Sequence, residues 1–145
     1  MTPHFSLEEF TASDTAARLG IDNRLPDELR ENALKTLEMM ERIRFHIDAP
    51  ITITSGYRCK ALNGVIGSKP GSDHTLALAV DFKAPKAGSP FQIAASLAPV
   101  IKIIGIGQLI LEFGTWVHVS TRIPDKIINR IITIDKDGTR AGIWQ

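Results

Sequence analysis

Two of the four histidines stand in places where an imidazole needs a reason to be. His74 ends a polar run, Gly71-Ser72-Asp73-His74, just before an apolar stretch. His118 lies inside Trp116-Val117-His118-Val119-Ser120, where strand alternation puts it on one face with Trp116 and Ser120. Asp81 is the third anomaly, an ionisable side chain within Leu78-Ala79-Val80-Asp81-Phe82. Buried carboxylates are normally paired or bound to metal, and a half-buried imidazole without a partner is costly. Two imidazoles and one carboxylate, with a fourth position left to water, make an ordinary catalytic zinc site. The spacing also allows a plainer reading, as satisfied buried polar residues. His74 and Asp81 are an odd number of residues apart, which puts them on opposite faces of a regular strand. They can meet only if His74 lies off the strand. His4 and His46 show no partner in the sequence and read as structural or exposed.

Composition narrows the alternatives. The chain has 145 residues, enough for one domain, taken here as 1–145, with a core that needs no covalent staple. Apolar residues make up 43% and charged residues 23%, which is globular usage. Net charge is +1, so there is no electrostatic footprint for nucleic acid or an anionic membrane. Cys59 is the only cysteine, which excludes an intrachain disulfide and any Cys-rich zinc site. The N-terminus, MTPHFSLEEF, lacks the basic and apolar regions of a secretory signal. The longest apolar stretch, near Val100 to Leu111, is broken by Lys102, Gly105, Gly107 and Gln108 and does not read as a membrane span. Synthesis in the cytoplasm and action as a monomer are the expectations.

The elements that must position these residues follow from pattern. Ser6 with Glu9 three residues on predicts a capped short helix. Pro26, followed by Asp27 and Glu28, opens an amphipathic helix to about His46, with Leu29, Ala33, Leu37, Met40 and Ile43 on its apolar stripe. Ile51 to Thr54 reads as a strand, Asn63 to Asp73 as a long Gly-rich loop, and Leu76 to Phe82 as a strand. Pro90 to Leu97 reads as a helix. Gln108–Glu112 and Trp116–Ser120 read as a hairpin around Phe113-Gly114-Thr115. Ile128 to Asp135 is a further strand, Lys136-Asp137-Gly138 a turn, and Ala141 to Trp144 a last short strand. Helices come first and strands cluster later, which predicts an α+β fold with an antiparallel sheet flanked by N-terminal helices.

Three blocks then stand in order: Ser55-Gly56-Tyr57-Arg58, Ser72-Asp73-His74-Thr75-Leu76-Ala77-Leu78-Ala79-Val80-Asp81-Phe82, and Trp116-Val117-His118. Together they resemble the M15 family of zinc D-Ala-D-Ala peptidases. That group includes D,D-carboxypeptidases, D,D-dipeptidases of vancomycin resistance and phage endolysins, and it shares the Hedgehog/DD-peptidase fold. The resemblance implies that His74, Asp81 and His118 are zinc ligands and that Glu112, six residues before the last ligand, is the general base. It also implies that Arg58 faces the substrate carbonyl and that Ser72 binds substrate backbone. Trp116 is expected to pack beside the site. The implied reaction is hydrolysis of a peptide bond in the stem peptide or cross-link of peptidoglycan, as in single-domain phage endolysins, at the wall or periplasm after release or as a virion component. A non-catalytic zinc-binding or virion-associated domain of the same fold is the alternative. One departure is visible: the family's glycine after the first histidine is Ala77, a small change at negative φ and a strained one at positive φ.

Overall fold

In the computed structural model, which describes residues 1–145, the chain builds a six-stranded sheet together with several helices. The N-terminal part forms α1 (Leu7–Thr11), α2 (Asp14–Leu19) and α3 (Arg30–Ile47). Ser6 caps α1 by accepting the Glu9 N–H, but the reciprocal bond is missing: a Glu9 carboxylate oxygen is buried without a partner. Pro26 sits just outside a single 3-10 turn, Asp27–Leu29, that leads into α3. The predicted stripe of α3 is its buried face, with Ala33, Leu37, Met40 and Ile43 fully enclosed.

Strands β1 (Thr52–Ser55), β2 (Ala79–Lys83), β3 (Gln108–Glu112), β4 (Trp116–Ser120), β5 (Ile131–Asp135) and β6 (Gly138–Ala141) line up in the order β1-β2-β4-β3-β5-β6. The class is α+β as the pattern predicts, but the sheet is mixed rather than wholly antiparallel. β5 runs parallel to β3, with Ile132 beside Ile110. The long return from β4 allows this, since parallel neighbours need a crossover rather than a tight turn. The final strand comes earlier than expected: Gly138 opens β6 and is not the end of the turn. Ile127–Asn129 forms a 3-10 turn, so β5 starts at Ile131.

Between β1 and β2 the predicted long loop is half helix. α4 (Lys60–Ile66) takes in Asn63 and Gly64 and ends on Gly67 at φ +83°, which leaves a loop only from there to Ser72. The region expected to be strand from Leu76 begins as a 3-10 turn, Asp73–Leu76, and β2 starts at Ala79. Further on, α5 (Pro90–Leu97) has the boundaries its sequence predicts. Ser89 and Gln92 form a reciprocal capping box there, and Pro90 opens the first turn. A short α6 (Ile101–Ile104) precedes β3.

The sheet's two faces divide the work. Val80, Phe82, Leu109, Leu111, Val117 and Val119 share one core with Leu37, Met40 and Ile43 of α3 and Ile93 and Leu97 of α5. The alternate residues Asp81, Lys83, Trp116, His118, Ile110 and Glu112 point the other way. Antiparallel register sets Asp81 beside His118 and His118 beside Ile110. The apolar set therefore seals one face with helices and leaves the polar set to line a site on the other.

Candidate metal centre

His74, Asp81 and His118 are all buried, and each offers a ligand atom within 4.8 Å of the others. His74 reaches the group because it is off the strand, in the 3-10 turn. Ala77 makes that possible: it closes the turn in the left-handed region at φ +59°, so the chain swings from the turn into β2. This is the strained outcome for a residue with a Cβ, and a left-handed L-residue costs about 1–2 kcal/mol. α3 clamps the same bend, with Thr36 donating to the Ala77 carbonyl (2.8 Å) and Asn32 to the Leu76 carbonyl (3.0 Å).

The protonation pattern follows from partners. Nδ1 of His74 lies 2.7 Å from the Gly56 carbonyl, which can only accept, so that nitrogen carries the proton and Nε2 is left as a lone-pair donor. His74 Nε2 is 3.4 Å from Asp81 Oδ1, and His118 Nδ1 is 2.8 Å from the same oxygen. The two rings meet edge to face, with centroids 5.1 Å apart. Ligand atoms held about 2.0–2.2 Å from one ion in a tetrahedron lie about 3.3–3.6 Å from each other. The observed spacings are close to that, so a small opening of the Asp81–His118 contact would admit a cation. A nitrogen–nitrogen–oxygen donor set with one carboxylate suits a zinc-sized ion.

Electrostatics agree with the geometry. Burial alone would raise the Asp81 pKa, but the hydrogen bond from His118 wins and holds it well below the usual carboxylate range. Burial lowers the His74 pKa and outweighs the pull of Asp81, so His74 stays neutral. Burial opposes charge on His118 too, but there the hydrogen bond and charge of Asp81 prevail and raise it.

Two further predicted residues are at the group's edge. Glu112 ends β3 and places Oε1 3.9 Å from His118 Nδ1. Burial, then the negative charge of Asp81, pushes its pKa up. The β3–β4 hairpin sets this placement, turning at Phe113 (φ +54°) and Gly114 (φ +61°). Arg58 is buried, with Nη2 3.5 Å from Asp81 Oδ2. Its Nε donates to Ser55 Oγ at 3.0 Å and Nη1 to Asn63 Oδ1 at 3.1 Å. The guanidinium thus braces the outer oxygen of Asp81 and leaves Oδ1 facing the imidazoles. Sequence reasoning missed Ser55, Gly56 and Asn63 as supports. The nearest signal was the block Ser55-Gly56-Tyr57-Arg58 itself, which places a hydroxyl three residues before the arginine.

A cavity of about 530 Å³ opens onto Asp81 and Arg58. Ala12 to Thr15 at the α1–α2 junction line one side, with Ser55 and Tyr57, and Lys83, Thr115 and Trp116 line the other. Ser72 lies outside its lining, as do His74, Glu112 and His118; the Ser72 hydroxyl accepts the His74 N–H at 3.3 Å and caps the turn. Trp116 packs against Phe113 at the hairpin. His4 does have a partner, Glu41 at 2.7 Å, and His46 contacts Ser96; both histidines are exposed and remote from the site.

The mixed α+β fold and this donor set suit a metallopeptidase. The Peptidase M15 family model matches residues 3–120, and the chain belongs to that family. Comparison with curated proteins returns no match. Peptidases of this family are zinc-dependent and act on peptides. The family match ends with β4, so all the residues that converge on the centre lie within it. No helix is long and apolar enough to cross a membrane.

Proposed function

We propose that this protein is a zinc-dependent hydrolase of bacterial peptidoglycan, cutting a peptide bond in the stem peptide or cross-link as a D,D-carboxypeptidase or endopeptidase of the phage endolysin type. The observation that carries the reading is the convergence of His74 Nε2, Asp81 Oδ1 and His118 Nδ1 beside a carboxylate, Glu112, that is not part of the donor set. Those three atoms are the ones that would hold zinc. When bound, zinc supplies a Lewis acid that lets water attack an amide near neutral pH.

The chain's own residues do the rest. Glu112 accepts the proton of the attacking water and returns it to the leaving amine, a task suited to a carboxylate whose pKa burial raises. Arg58 keeps Asp81 fixed through Oδ2. A guanidinium has five N–H groups, and three of those on Arg58 face Ser55, Asn63 and Asp81. The two that remain are available to the carbonyl oxygen as it gains charge. Ser72 serves by capping the turn that carries His74. The peptide lies in the cavity between the α1–α2 junction and the Lys83–Thr115 edge. Action at the wall or periplasm, after release during phage lysis or from a virion, completes the reading.

Purified peptidoglycan incubated with the protein, with and without a chelator, tests it. Mass analysis should find new peptide termini only when metal is present. A chain that binds zinc but releases nothing, and is unchanged by Glu112→Ala, would be a binding domain instead.

A further inference from the structure

The residue between Ser72 and His74 has no role in the chemistry above, yet it is tied down from two directions. Asp73 opens the 3-10 turn, and its side chain is only 14% exposed. Its Oδ2 accepts a hydrogen bond from Ser120 Oγ at 2.7 Å, and its Oδ1 is paired with the Arg122 guanidinium. Ser120 is fully buried and also accepts the Arg122 backbone N–H at 3.1 Å. Arg122 reaches the Gly71 carbonyl as well, at 3.4 Å.

The consequence lies in which strands these bonds join. β4 presents His118 and, two residues on along the same face, Ser120. One strand therefore carries the last imidazole of the centre and the hydroxyl that grips the turn bearing the first. On the opposite side the His74 carbonyl accepts the Arg58 N–H at 3.1 Å, and the Gly56 carbonyl orients the ring. Those two bonds set the ring's direction relative to the β1 side. Toward β4, where His118 sits, the end of the turn is tied by the Thr121 N–H to the Leu78 carbonyl at 2.9 Å, and its start by Asp73 to Ser120. The preceding loop is a weak restraint, with Gly67 and Gly71 in it and few backbone bonds of its own.

We propose that Asp73, held by Ser120 and Arg122, is a positioning residue that fixes the separation of His74 from His118 and so tunes metal affinity. The inference rests on the metal reading given above. Groups bonded directly to a metal ligand typically change metal affinity by about 10–100-fold when removed, and Asp73, which acts through the turn rather than on the ring, should reach the low end of that range.

The test is zinc affinity of the metal-free protein, measured by competition with a chromophoric chelator, together with the visible spectrum of the cobalt(II)-loaded form. The expected result is that Asp73→Ala weakens zinc by about 10-fold and alters the cobalt spectrum. Arg122→Ala should produce a smaller loss, and Arg122→Lys, which keeps a cation there, should recover most of it. A role in folding alone would lower thermal stability and leave the cobalt spectrum and the lysine rescue without effect. Should Asp73→Ala fail to fold, Arg122→Ala reads the same quantity from the half-exposed partner. Wild-type affinity, within about twofold, and an unchanged spectrum in both alanine variants would overturn the proposal while leaving the metal reading intact. A wild-type chain that takes up no zinc would overturn both.

Discussion

Gly56 sits where no other residue fits, and replacing it with alanine gives a sharp test of how the site is built. A Cβ there would lie 2.2 Å from the Phe10 carbonyl oxygen, 2.7 Å from its Cδ1 and 3.0 Å from its carbonyl carbon. Phe10 cannot yield easily: it is fully buried, and its carbonyl accepts the Tyr57 N–H at 2.9 Å. Overpacking of this kind costs about 1–3 kcal/mol. Loss of the Tyr57 hydrogen bond adds about 1 kcal/mol. Gly56→Ala should therefore destabilise the metal-free protein by about 2–4 kcal/mol. At about 4 °C per kcal/mol for a domain of this size, Tm falls by about 8–16 °C. The same displacement moves the carbonyl that orients His74, so zinc affinity should fall together with stability. Denaturant unfolding of the metal-free form, with chelator competition beside it, measures both. A variant within about 0.5 kcal/mol of wild type would refute the reasoning, because α1 would then not be wedged against the segment that orients His74.

Glu112→Gln should keep zinc and lose about 10²–10⁴ in kcat, read by peptide release from peptidoglycan. The wild-type rate should fall as pH drops through the Glu112 pKa, because the protonated acid cannot accept a proton, and the residual rate of Glu112→Gln should lack that acid limb. Burial raises the Glu112 pKa, so its ionisation disfavours the metal-free fold, an effect absent below the unfolded-state value of 4.5 and growing as pH rises. Glu112→Gln should accordingly raise Tm of the metal-free form at pH 7 and change it little at pH 4. Ala77→Gly relieves about 1–2 kcal/mol of left-handed strain. It forfeits about 0.8 kcal/mol of buried methyl and about 0.4–1 kcal/mol through the freer unfolded chain, so Tm should hardly move.

What the sequence makes legible here is local. α5 and the β3–β4 hairpin have the boundaries that Ser89-Pro90-Phe91-Gln92 and the β-branched strands predict, because caps, tight turns and alternation act within a few residues. α4 is hidden for the opposite reason. Cys59 is an unusual cap, and Asn63 and Gly64 are weak helix formers. Asn63 is in the helix because its buried amide bridges Arg58 and the Lys69 carbonyl, a tertiary reward that no window of sequence shows. α2 buries only Ala16 and so shows no stripe. The meeting of His74 with Asp81 turns on one backbone angle, at Ala77, which overrides the strand pattern around it. The parallel pairing of β5 depends on where a long return lands.

That late pairing has a consequence for how molecules meet one another. Leu109, Ile110 and Leu111 of β3 would be an open, apolar strand margin if the chain stopped after β4, and such margins recruit strands from other copies. β5 covers it, and β6 then becomes the outermost strand, wholly exposed and carrying Arg140 with Gly138 at its start. The last hairpin therefore acts as a selvedge: it replaces a greasy margin with a charged one that discourages stacking. Removing residues 131–145 should make the purified chain scatter more light at a given concentration than the full sequence does, and equal scattering would refute this role for the last hairpin.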